Sequence, residues 1–188
     1  KAIQPGGRLP EESSHRHTGG GATALSVVKG DEFTMKTKLY IAYGSNMDVR
    51  QMGFRCPTAK LIGPSEVEGY RLLFKGSQTG AYATIEPTEG SKVPVLIWEI
   101  GKNDENSLDR YEGFPTFYYK KDLIVSINGK SETAMVYIMD ERRPFGEPSS
   151  RYYKVIEDAY VKFHFDRSIL EQALADSETE DAGDVDVD

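Results

Sequence analysis

The stretch AYGSN, residues 42–46, ends a short apolar run with a tyrosine, a glycine and two short hydrogen-bonding side chains. Gly44 gives the backbone freedom to turn or to approach another group closely, and Ser45 and Asn46 bond readily to nearby amides. Such a stretch is ordinarily a strand exit, but its exposed N–H groups can also cradle an anion. Further along, Glu112 stands between Tyr111 and Gly113-Phe114-Pro115, at the C-terminal end of a predicted short helix. A carboxylate there gains nothing from the helix dipole, which favours cations at that end. Burial among aromatic neighbours would raise its pKa and let it exchange protons near neutral pH. The competing reading is a solvated glutamate at a helix end, the usual fate of this residue type.

Other chemistry is sparse. Of three histidines, His15 and His17 lie in a Gly/Ser-rich stretch, and His164 reads as a packed or capping residue. Gly19 to Gly21 follow no strand and precede no Gly-Lys-Ser/Thr, so they do not make a phosphate loop. No metal site and no cofactor are expected. Cys56 is the sole cysteine, which excludes an intrachain disulfide. The apolar runs fall short of the roughly 20 residues a membrane span needs, and no signal-like segment opens the chain. These features predict a cytoplasmic protein without a membrane partner.

The net charge of −7 is concentrated at one end. Residues 171–188 hold eight acids and neither Lys nor Arg, leaving 22 acids against 23 bases elsewhere. The remainder is almost neutral and shows no clustered basic face, so a nucleic-acid partner is not expected.

The positioning elements follow from hydrophobic periodicity. LYIAY (39–43) reads as a strand and MDVRQMGF (47–54) as a short helix or turn. AKLIGPSEVEGYRLLF (59–74) predicts extended segments broken at Gly63-Pro64, and AYATIEP (81–87) and VPVLIWEI (93–100) predict two further strands. Both faces of the last are apolar, as in a strand lining a small filled barrel. NDENSLDRYEG (103–113) predicts a helix with Asn103 or Asp104 as N-cap and Gly113 as its stop. Asn128-Gly129 between FYYKKDLIVSI and SETAMVYIM is a strong hairpin signal. A helix capped by Ser149 or Ser150 carries Tyr152, Ile156, Tyr160 and Phe163 at helical spacing, and Asp166 can cap another. Residues 1–34 read as a flexible extension, 35–175 as the compact domain and 176–188 as a disordered acidic tail. The order predicts an α+β fold with a small mixed, mainly antiparallel β-barrel and flanking helices.

YIAYGSNM, SLDRYEG and PSSRYYKVIEDA occur in this order over residues 38–163, and together the chain resembles gamma-glutamylcyclotransferase-like proteins. The resemblance implies a mixed barrel with a cavity at one end and a small-molecule gamma-glutamyl substrate. It places the family's substrate-holding loop on Tyr43, Gly44, Ser45 and Asn46, and its catalytic glutamate on Glu112. A family tyrosine falls on Tyr118 or Tyr119, and another on Tyr152. Asp158 departs from the family pattern, which has a small residue there.

The implied chemistry is economical. The substrate's own α-amine attacks its γ-carbonyl, so the protein needs no nucleophile or metal. It must take a proton from the ammonium, return one to the leaving amine and stabilise an oxyanion. One carboxylate of raised pKa can serve both transfers, a role worth about 10²–10⁴-fold. Glutathione derivatives, gamma-glutamyl amino acids and gamma-glutamyl-lysine isopeptides all share the reacting end. Two rivals remain. A serine hydrolase built on Ser45 would have only His164 as base and lacks the Gly-x-Ser-x-Gly elbow. A non-catalytic ligand-binding or interaction module would keep the cavity without turnover.

Overall fold

The computed structural model describes residues 36–77 and 80–181; the expected extension 1–34 and residues 182–188 of the acidic tail lie outside the described residues. The described chain forms strands β1 (Lys38–Ala42), β2 (Lys60–Ser77), β3 (Gly80–Ile100), β4 (Tyr118–Ile127) and β5 (Lys130–Met139). Helices α1 (Val49–Arg55) and α2 (Lys102–Glu112) separate strands, while α3 (Ser150–Lys162) and α4 (Arg167–Asp181) follow them. A short 3₁₀ turn, Ser45–Met47, lies between β1 and α1.

The strands form one sheet in the order β2-β3-β1-β5-β4. β1 runs antiparallel to β3 and parallel to β5, whereas β2–β3 and β4–β5 are antiparallel. This is the mixed, mainly antiparallel sheet expected. It curls like a barrel without closing as a hydrogen-bonded ladder. The edge strands meet instead through side chains: Ser65 Oγ donates to the Ser126 carbonyl at 2.8 Å, and Lys121 Nζ donates to Tyr70 Oη at 3.0 Å.

Two boundaries differ from the sequence expectation. Gly63-Pro64 does not break β2, which continues through it with a register shift between Leu61 and Gly63. Gly63 takes a φ of +146° in this bulge, and Pro64 needs no ladder donor because β2 is an edge strand. The stretches 81–87 and 93–100 are parts of the single strand β3, paired with β2 from Ser77↔Gly80 to Lys60↔Glu99. Its inner half is buried on both faces: Val93, Val95 and Ile97 on one, Leu96, Trp98 and Ile100 on the other.

Local chemistry explains the remaining joints. Asn128 and Gly129 both take positive φ, 51° and 76°, as a two-residue hairpin turn requires. Asp48 Oδ1 accepts from the Arg50 and Gln51 amides and starts α1. α2 is capped at Gly101 rather than at Asn103 or Asp104. Asp104 lies inside the first turn, where its buried carboxylate accepts from the Gly101 amide and the Thr58 hydroxyl. Gly113, φ 64°, ends α2 in the left-handed conformation, and a Cβ there would come within 3.1 Å of Phe117 Cβ.

Ser149 Oγ accepts from the Tyr152 amide and caps α3. His164 is exposed at positive φ just past α3, so it ends that helix instead of packing into the core. α4 runs on to Asp181, beyond the boundary expected at 175, with Ser177 buried and donating to the Leu174 carbonyl. Among the described residues no helix is long and apolar enough to cross a membrane.

Candidate active site

The end of β1 fixes the site. Ile41 and Ala42 are buried in the sheet, so the chain must turn at Gly44, and the 3₁₀ turn that follows buries Ser45, Asn46 and Met47. Gly44 has φ −112°, which is not a left-handed angle; its need is space. A Cβ there would sit 3.1 Å from Tyr152 Oη and 3.4 Å from Ala83 Cβ. Glycine therefore lets α3 and β3 close on the loop.

A cavity of about 430 Å³ opens beside this turn. Tyr43, Gly44, Ser45 and Asn46 line one side, Glu112 and Tyr111 come from the end of α2, and Tyr118 and Tyr152 come from β4 and α3. All the sequence-predicted site residues meet here except Tyr119. The neighbouring tyrosines alternate across β4: Tyr118 lines the cavity and donates to the Ala83 carbonyl at 2.8 Å, whereas the Tyr119 hydroxyl donates to Glu141. The structure thus separates two residues that sequence spacing left equivalent.

Glu112 is half-buried, with Oε1 accepting from Asn46 Nδ2 at 2.8 Å. Burial pushes its carboxyl up to about 7, against the opposing pull of the Asn46 hydrogen bond and the nearby Arg55 guanidinium. Near neutral pH it can therefore exist in both forms. The tyrosines around it do not share that property: burial, and then the Glu112 carboxylate, hold Tyr40 and Tyr43 well above the usual phenol range.

The hydroxyls divide by what they do with their hydrogens. Tyr43 donates to the Tyr137 carbonyl at 2.6 Å, and Tyr118 donates to Ala83, so both are committed to backbone acceptors. Tyr152 Oη instead accepts from the Ala83 amide at 3.2 Å, and the Ser45 amide also bonds to it. Tyr40 Oη accepts from Asn46 Nδ2 at 2.7 Å. These two phenols keep their own hydrogens for another acceptor, and both line the cavity.

Sequence reasoning missed Tyr40, Arg55, Tyr82, Tyr111, Phe117 and Tyr137. Tyr111 could have been found as the neighbour of Glu112. Tyr40 was visible only as a strand residue, and Tyr82 and Phe117 reach the rim through chain pairing that no local spacing reveals. Ser45 Oγ shares hydrogen bonds with Tyr111 Oη at 3.2 Å and Arg55 Nη1 at 3.3 Å. Those partners are not bases for a serine nucleophile, and His164 lies at the end of α3 rather than on the cavity.

A carboxyl able to hold or release a proton near pH 7 thus faces a turn rich in donors on a curled α+β sheet. The family described as gamma-glutamyl cyclotransferase, AIG2-like, matches residues 40–157, and the chain belongs to it. Gamma-glutamylcyclotransferase of Homo sapiens is 32% identical over 127 residues, covering 63% of this chain and 67% of that protein. The protein of the same name from Bos taurus is 33% identical over 127 residues with the same coverage, 63% and 67%. A solved structure of a gamma-glutamyl cyclotransferase superposes with a TM-score of 0.64 at 29% identity, over 73% of this chain and 86% of that one. The chain is an enzyme of the gamma-glutamylcyclotransferase type.

Proposed function

We propose that this protein releases 5-oxoproline and a free amine from a gamma-glutamyl amide, with Glu112 moving the protons. The observation that carries this reading is the Glu112 carboxyl, raised to about 7 by burial and set on the wall of the cavity beside the Tyr43–Asn46 turn. As carboxylate, Glu112 takes a proton from the substrate's α-ammonium. The freed amine attacks the γ-carbonyl carbon, forming the ring N–C bond and a tetrahedral oxyanion. The nitrogen then loses a second proton as the leaving nitrogen is protonated and its C–N bond breaks. Two protons travel from one substrate nitrogen to the other, and one group that both accepts and donates near pH 7 can relay them in turn.

The tyrosines and the turn hold the substrate. Tyr152 and Tyr40 can each donate to an oxyanion or to the α-carboxylate, and the Gly44–Asn46 turn supplies the surface against which the gamma-glutamyl group folds toward its attack geometry. The amide cradle expected from the sequence is in part relayed, because Tyr152 stands between the Ser45 amide and the cavity. Tyr82 and Phe117 line the outer part of the same cavity, where the leaving amine would exit.

The test is a panel of glutathione derivatives, gamma-glutamyl amino acids and gamma-glutamyl-lysine isopeptides, assayed for 5-oxoproline with the wild type and Glu112→Gln. Turnover of one class by the wild type and its loss in the variant support the proposal. Binding of 5-oxoproline without turnover of any compound would favour a non-catalytic module.

A further inference from the structure

The Asn46 amide has two orientations, and one guanidinium decides between them. Arg55, the last residue of α1, sends Nη1 to Asn46 Oδ1 at 2.6 Å. Its Nη2 donates to Tyr111 Oη at 2.7 Å and to Gln51 Oε1 at 2.6 Å, while its carbon lies 3.7 Å from the centre of the Tyr111 ring. The side chain is thus clamped on three sides. With Oδ1 of Asn46 committed to Arg55, both amide hydrogens must face the other way, toward Glu112 Oε1 at 2.8 Å and Tyr40 Oη at 2.7 Å. A flipped amide would place its oxygen against a carboxylate and its NH₂ against a guanidinium, two repulsions in place of two bonds.

We propose that Arg55 is a positioning residue for proton transfer: by holding the Asn46 amide in one orientation it fixes which oxygen of Glu112 faces the substrate. This rests on Glu112 being the proton carrier. Asn46 occupies Oε1, so the mobile proton belongs on Oε2. The same orientation makes Tyr40 an acceptor on its inner side and turns its hydrogen toward the cavity. Arg55 does this from outside the cavity wall, without touching the substrate space.

Arg55 also acts by charge. The other titratable groups that feel Glu112 are Tyr40 on β1, Tyr43 after it, Cys56 after α1, Tyr118 on β4, Tyr137 on β5 and Tyr152 on α3. All are neutral near pH 7, their hydroxyls and thiol held high first by burial. Arg110, on the same helix as Glu112, lines the cavity as well, but the guanidinium pulling the Glu112 carboxyl down is that of Arg55.

The experiment compares Arg55→Met, Arg55→Gln and Arg55→Lys in the full chain. The acidic limb of kcat/KM against pH is followed on a verified substrate, and the Glu112 carboxyl is titrated directly by carbon NMR. The direct titration needs no turnover, so it separates failure of this proposal from failure of the cyclotransferase reading. Arg55→Met should move both the limb and the titration upward by about one pH unit, the lower end of what a nearby opposite charge contributes. Arg55→Lys should restore most of that shift while leaving kcat about tenfold down, because an ammonium lacks the rigid planar fork and the stacking on Tyr111 that hold the guanidinium in place. If Arg55→Met does not fold, the neutral Gln against the charged Lys gives the same contrast. An unmoved titration in a folded neutral variant, or equal behaviour of neutral and charged variants, overturns the proposal.

Discussion

Two glutamates on α2 meet opposite fates. Glu105 is 4% exposed, yet its carboxyl lies at about 2. Burial alone would raise it, but hydrogen bonds from Lys120 at 2.8 Å and Lys38 at 2.9 Å, with their charges, overcome that. Glu112, at the other end of the helix, has a neutral amide as its bonded partner and a guanidinium one residue removed, and burial wins. At Glu105 the charges of its partners override burial; at Glu112 burial outweighs a neutral amide and a guanidinium that does not touch the carboxyl. The paired end also braces the reactive one. Lys120 bonds Asp109 at 2.6 Å, Asp109 accepts from the Tyr137 hydroxyl, and the Tyr137 carbonyl holds Tyr43 at the cavity wall.

The sharpest way to break this contrast is to remove each charge without changing shape. Glu112→Gln should cost roughly 10²-fold or more in kcat while 5-oxoproline binding stays close to wild type. A variant that cyclises a verified substrate at the wild-type rate would make Glu112 structural. Glu105→Gln should leave Lys38, Lys102 and Lys120 without their shared carboxylate and cost about 2 kcal/mol, less than a fully buried pair because Lys38 is half exposed. Denaturant melts measure it, and a loss under about 0.5 kcal/mol would reduce the pair to a surface contact.

The pH dependence carries opposite signs at the two sites. The Glu105 carboxyl is lowered from 4.5 to about 2, so its stabilisation is present above about 4.5 and lost as pH falls toward 2. The Glu112 carboxyl is raised from 4.5 to about 7, so its contribution is fully present below 4.5 and lost as pH rises through 7. Relative to wild type, Glu112→Gln should thus gain stability between pH 4.5 and 7, while the deficit of Glu105→Gln should shrink below pH 4.5. Melting temperatures across pH 2 to 8 read both, and parallel curves for the two variants would erase the distinction.

The sequence made half of this contrast legible. Glu112 stood out because aromatic and turn residues flank it and the helix dipole offers it nothing. Nothing local in the sequence marks Glu105, since Lys38 and Lys120 reach it only after β1 and β4 are laid beside α2. Strands and helices were readable wherever periodicity was local, as at Asn128-Gly129 and the Ser149 cap. The long strands were not, because Gly63-Pro64 reads as a break and residues 88–92 as a gap until an edge position and bulges absorb them. Arg55 was invisible for a similar reason. Its meeting with Asn46 depends on the 3₁₀ turn folding α1 back over the loop.

Smaller changes test how tightly the cavity wall is built. Gly44→Ala places a methyl 3.1 Å from Tyr152 Oη, so that phenol must yield and its donor role with it. Affinity for 5-oxoproline should fall about tenfold, equivalent to about 1.4 kcal/mol, with a smaller loss of stability. Equal affinity in the variant would mean the turn does not hold the ligand.

The smallest expected effect separates the two adjacent tyrosines of β4. Tyr118 is buried, lines the cavity and bonds the Ala83 carbonyl, whereas the Tyr119 hydroxyl reaches Glu141 on the far side of the strand. Tyr118→Phe should cost about 1 kcal/mol of stability through the lost buried hydrogen bond. Its effect on kcat/KM should be only a few-fold, since its hydrogen is already committed to backbone. Tyr119→Phe should leave kcat/KM within about twofold and stability within about 0.5 kcal/mol, as expected for a contact outside the core. The two variants are compared by steady-state kinetics and melts on the same substrate. A large kinetic loss confined to Tyr119→Phe would require β4 to present its other face to the substrate, and with it a different wall to the cavity that holds Glu112.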